Sequence, residues 1–129
     1  MDKKITIGST VETDYNSGKY IGKVIEDRRN SWLVEVEAVL KHPTQGDLHN
    51  PNTVDNVAFH ERKAIGPREK INARKRKTKL YTGDVPEYVE SLKQAVTELK
   101  SSLNNDDAFG KLSLEKIADL ETSFYNKLY

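Results

Sequence analysis

The hydrophobic period of this chain changes once along its length, and that change limits what it can fold into. In the first third, Trp32, Val34, Val36, Ala38 and Leu40 alternate with residues that include Glu35 and Glu37. A period of two marks a half-buried strand. In the last third, Val85, Tyr88, Val89, Leu92, Val96, Leu99 and Leu103 recur at spacings of three and four, with Ala95 on the same stripe. Leu114, Ile117, Leu120, Phe124 and Leu128 make a second such stripe, with Leu112 near its start. Those spacings mark amphipathic helices. An all-β or all-α chain would not switch in this way, so the sequence predicts an α+β protein with its strands first.

The strands are expected at Val11–Tyr15, Tyr20–Ile25 and Trp32–Leu40, with a fourth over Val57–Ile65. Asn16-Ser17-Gly18 and Arg28-Arg29-Asn30-Ser31 are short enough to be hairpin turns, with Gly18 a source of positive φ. Gly22 inside a strand suggests a bulge or tight bend. Short strands and short turns predict a small SH3-like β-barrel over residues 1–80, with residues 68–79 as a fifth strand or an extended linker. A long loop interrupts it at residues 42–56, rich in Pro, Gly, Asn and Asp and without periodicity. Long loops of this kind are often functional.

A C-terminal helical region is expected over residues 81–129. Its first helix, from about Val85 to Leu103, has Asp84 and Glu87 at capping-box spacing, with Pro86 in the first turn. A break at Asn104–Asp107 and Gly110 precedes the second helix. Two such helices with a short connection suggest an antiparallel helical hairpin. Their stripes leave open whether they pack within one chain or in a homodimer.

Chemistry is sparse. There is no Cys, hence no disulfide, thiolate metal site or cysteine nucleophile. His42, His49 and His60 lie within one stretch, near Asp47, Asp55 and Glu61, yet no pair has ligand spacing. No nucleophile elbow or phosphate-cradling glycine loop is present. The sequence therefore predicts no metal, no cofactor, no enzyme activity and no small-molecule substrate. No apolar run reaches the ~20 residues of a membrane span, and the N-terminus lacks a secretory signal pattern.

The formal net charge of +1 conceals three unlike segments. Residues 1–61 sum to −3, residues 62–79 to +8 and residues 80–129 to −4. Arg74, Lys75, Arg76, Lys77 and Lys79 form the densest basic patch. Such a run can bind nucleic-acid phosphates, an anionic membrane or an acidic protein, or be only a solvated face between acidic flanks. No aromatic residue interleaves residues 68–79, which counts against single-strand binding.

Ala38–Pro51, A-V-L-K-H-P-T-Q-G-D-L-H-N-P, resembles the signature of the kinase-associated protein B family of spore-forming Gram-positive bacteria. Phe59–Ala64, Gly83–Tyr88 and the Tyr20-Ile21-Gly22 hairpin segment resemble further blocks of that family, in order and at similar spacing. The resemblance implies an antiparallel SH3-like sheet followed by helices. It also implies a non-catalytic role in sporulation signal transduction, supporting a membrane sensor histidine kinase that feeds a phosphorelay. Family members are commonly called lipoproteins, but a lipobox requires a Cys and this sequence has none. The expected location is the cytoplasm or the inner face of the cell membrane. His42, Asp47, His49, His60 and Arg62 are the expected partner-binding residues, with bracing of the loop as the alternative role for Asp47, His49 and His60. Nucleic-acid binding through residues 68–79 is the alternative function.

Overall fold

The computed structural model describes residues 4–46, 61–103 and 107–128. Strands β1 (Thr10–Tyr15), β2 (Gly18–Arg28) and β3 (Ser31–Lys41) form a meander. Strands β4 (Lys70–Arg74) and β5 (Thr78–Leu80) flank a single 3-10 turn, Lys75–Lys77. The five strands form one antiparallel sheet in the order β4-β3-β2-β1-β5. The sheet is not closed. Its two edges, β4 and β5, are consecutive in the chain but share no ladder, so the expected SH3-like barrel is not confirmed. What forms is a mixed α+β fold with helices α1 (Tyr88–Ser102) and α2 (Ala108–Ser123) after the sheet.

The β1–β2 connection is tighter than expected. Tyr15 pairs with Gly18, so Asn16 and Ser17 alone make the turn, with φ of 45° and 68°. Two successive left-handed residues match the twist of a hairpin. Asn16 and Ser17, not Gly18, carry the positive φ. Gly22 does mark a bulge. Ile21 pairs with Ala38 and Gly22 with Val36, leaving Glu37 as the extra residue. A Cβ on Gly22 would lie 2.5 Å from the Glu35 carbonyl oxygen, so the strands can approach this closely only at a glycine. A further register shift passes over Leu40. The β3 alternation therefore holds over Val34, Val36 and Ala38, after which Val39 is also buried.

The expected fourth strand is absent from its described part. Glu61–Gly66 has no strand structure, and the next strand is β4, inside the basic segment. Side chains from distant elements take the amides that a ladder would use. Arg62 N–H donates to Gln45 Oε1 (2.8 Å), Ala64 N–H to the Tyr125 hydroxyl (2.9 Å) and Ile65 N–H to the Tyr20 hydroxyl (3.2 Å). The Tyr88 hydroxyl donates to the Ile65 carbonyl (2.6 Å). Buried backbone groups need partners, and here side chains supply them.

Helix α1 begins later than the capping-box reading predicts. Its N-cap is Glu87, with no side-chain cap bond, and the Asp84 carbonyl instead accepts from the Tyr81 hydroxyl (3.2 Å). Helix α2 begins earlier. Asp107 caps it by accepting from Gly110 N–H (2.5 Å), so Gly110 lies within the first turn rather than in the break. The helices do not lie in hairpin register. Lys100, in the last turn of α1, pairs with Glu121, in the last turn of α2. A tight antiparallel hairpin would instead place the last turn of α1 beside the first turn of α2.

One buried cluster unites sheet and helices. Val11, Tyr20, Val24, Val34, Val36 and Ile71 pack with Leu92, Ala95, Val96, Ile117, Leu120 and Tyr125. Helix α1 docks on β3 through a polar contact as well. Val39 N–H donates to Ser91 Oγ (2.9 Å), which in turn donates to the Tyr88 carbonyl (2.7 Å). Phe124 and Leu128, expected on the second stripe, are exposed beyond the end of α2.

Candidate functional site

The segment His42–Gly46, which follows β3, and the segment that begins at Glu61 are clasped together. Gln45 is buried and acts as a one-residue strand substitute. Its side-chain NH2 donates to the Pro43 and Arg62 carbonyls (3.1 and 2.9 Å), while its Oε1 accepts from Arg62 N–H. The Arg62 guanidinium reaches across to the Gly46 carbonyl (2.7 Å). Each segment thus donates to the other.

Beside the clasp lies His42, whose polarity can be read from its neighbours. His42 Nδ1 is 3.0 Å from the Pro43 carbonyl, which can only accept, so Nδ1 carries the proton. Nε2 then accepts from the Tyr125 hydroxyl (2.7 Å), whose oxygen accepts from Ala64 N–H. The rings meet edge to face at 5.7 Å. A neutral imidazole satisfies both nitrogens. Burial holds the His42 pKa below the usual histidine value, partly opposed by the Pro43 carbonyl and the charge of Glu121. Burial likewise pushes Tyr20 up to about 12, keeping its hydroxyl neutral beside Ile65.

These positions revise the expected partner-binding set. His42 is fully buried and offers no surface to a partner, so it braces the fold from within. Arg62 is half-buried and serves the clasp. Asp47, His49 and His60 lie outside the described residues. Among the described residues, no group of three His, Asp or Glu side chains is arranged to hold a metal ion. Gln45 and Tyr125 were missed by the sequence reading. Their only sequence signal is polarity beside a Pro and position at the end of an apolar stripe.

The basic patch is divided rather than continuous. Lys75 sits 4.1 Å from the centre of the Trp32 ring and pairs with Asp27 (2.6 Å). That hydrogen bond holds the Asp27 carboxyl below its usual range. Lys79 pairs with Glu12 (3.0 Å). Arg74, Arg76 and Lys77 are exposed. Arg74 and Lys77 line a cleft with the tip of the β1–β2 hairpin, while Lys75 and Lys79 line a different groove with Ile5, Trp32 and Leu80. The 3-10 turn splits the run between two sides of the sheet corner.

Comparison with known proteins matches the architecture and most of the chain. The family model described as Kinase associated protein B matches residues 15–125. "Kinase-associated lipoprotein B" of Bacillus subtilis (strain 168) is 42% identical over 121 residues, covering 93% of this chain and 94% of that protein. The crystal structure of kinase-associated protein B from Bacillus cereus superposes with a TM-score of 0.80 at 39% identity, covering 94% of this chain and 98% of that one. Among the described residues, no helix is long and apolar enough to cross a membrane.

Proposed function

This chain belongs to the kinase-associated protein B family, and from that premise we propose that it is a non-catalytic accessory protein supporting a sporulation sensor histidine kinase through protein contacts. The observation that carries the reading is the family match across residues 15–125, joined to a kinase-associated name in a relative of nearly full coverage. The site supports it physically. The segments on either side of residues 47–60 are locked together by Gln45 and Arg62. A loop with fixed roots loses less conformational freedom when it docks.

The recognition surface in this reading is the loop, with Asp47, His49 and His60 as contacts and Arg62 as its anchor. A pull-down against the cytoplasmic part of the kinase tests it. Asp47→Ala and His49→Ala, in protein that remains folded, are expected to weaken capture. Undiminished capture by both variants overturns the assignment of this surface. Nucleic-acid binding through residues 68–79 is the weaker reading, because Lys75 and Lys79 are already paired and line a different groove from Arg74 and Lys77.

A further inference from the structure

Some cations on the sheet corner have partners. Arg28 pairs with Glu26, Lys75 with Asp27 and Lys79 with Glu12. Others, Arg76 among them, do not. Among the described residues, the side chains of Lys41, Arg74 and Lys77 make no ion pair or hydrogen bond. These three line a single cleft of about 660 Å³. They come from the end of β3, the end of β4 and the end of the 3-10 turn, so the fold brings them together and the basic run alone does not.

We propose that this cleft binds a small phosphorylated ligand, held rather than turned over. Its volume falls within the roughly 300–1,000 Å³ of small-ligand sites. Those sites are usually apolar, whereas this one is lined by charge and amide, so the ligand must be anionic and polar. Asp14 is the one carboxylate on its lining, leaving an excess of two positive charges. A phosphate dianion matches that excess, and a single carboxylate does not. The Arg74 guanidinium can bind two phosphate oxygens at once, and the two lysines act as point charges around it. Asn72 adds an oriented donor. Its Oδ1 accepts from Arg28 (3.1 Å), so its NH2 group is the one left to donate into the cleft.

The test is calorimetric titration of the full chain with pyrophosphate at about 50 mM salt, where phosphate contacts are weakly screened. Saturable one-to-one binding is expected. Arg74→Gln and Lys77→Gln should each weaken it roughly tenfold, the scale of one lost charge-assisted contact. Lys79→Gln, in the other groove, should change it less than about twofold, as expected for a charge outside the site. All three residues are exposed, and circular dichroism of each variant checks folding. Absence of saturable binding overturns the proposal, as does an equal loss in the Lys79 variant, which would mean diffuse attraction. Binding of single-stranded DNA or of phosphatidylglycerol vesicles without pyrophosphate binding also overturns it, in favour of a polynucleotide or a membrane surface.

Discussion

The Nε2 of His42 accepts a hydrogen bond from the Tyr125 hydroxyl at 2.7 Å, and that bond forms only with a neutral ring. Protonation would turn Nε2 into a donor facing a hydroxyl that already accepts from Ala64 N–H. The folded-state pKa of His42 lies below its ordinary value of 6.5. Unfolded chains therefore bind the proton more readily than folded ones. The stabilisation from this group is complete above about pH 6.5 and is lost as pH falls through the folded pKa. Urea midpoints measured from pH 7.5 downward should fall in that window. The fall should be smaller in His42→Gln, whatever that variant's stability at pH 7.5.

Tyr125→Phe isolates the hydroxyl from the ring. The ring would still fill its place in the core, but His42 Nε2 and Ala64 N–H would both lose a partner. Each buried unsatisfied group costs about 1–3 kcal/mol, so the variant, with two, should lose roughly 2–6 kcal/mol. Chemical denaturation at pH 7.5 measures this. A loss under about 0.5 kcal/mol, the scale of an ordinary surface change, would mean that water replaces the hydroxyl.

Gly22→Ala tests the bulge. The added methyl would meet the Glu35 carbonyl oxygen and Val34 Cγ1, each at 2.5 Å. The backbone oxygen cannot swing aside, so β2 and β3 must separate locally. Overpacking of this kind costs about 1–3 kcal/mol. Gly8→Ala is a useful contrast, since a Cβ there meets nothing within 4 Å and only its positive φ opposes the change. Thermal melts of the two variants should separate steric from conformational cost.

The meander and both helices were legible because each carries its own period. The bulge at Gly22 was legible because a glycine inside a β-branched run has few other uses. Glu61–Ile65 does not form the expected strand because its partners are side chains at positions 20, 45, 88 and 125, and no local pattern records a strand replaced by side-chain partners. The basic segment, read as a fifth strand or an extended linker, holds strand β4 and the start of β5, but only part of that was legible. A run of seven cations in twelve residues masks the burial of Ile71 and Ala73, which alternate into the core as β4. His42, expected among the partner-binding residues, is buried instead. Its burial depends on Tyr125, more than eighty residues away.

Ser91 provides the last test, of how helix and sheet are joined. Its hydroxyl satisfies the Val39 amide at the register shift that passes over Leu40. Removing it in Ser91→Ala leaves a buried N–H without that partner, at a cost of about 1–3 kcal/mol. Alanine has the higher helix propensity by a few tenths of a kcal/mol, so an effect confined to the helix would instead be stabilising. The sign of the change therefore distinguishes a docking contact from a helical residue. Destabilisation in urea unfolding, with faster hydrogen exchange at the Val39 amide, is the expected pair of results. A neutral or stabilised variant with unchanged exchange would mean that α1 is held to β3 by apolar packing of Leu92, Ala95 and Val96 alone.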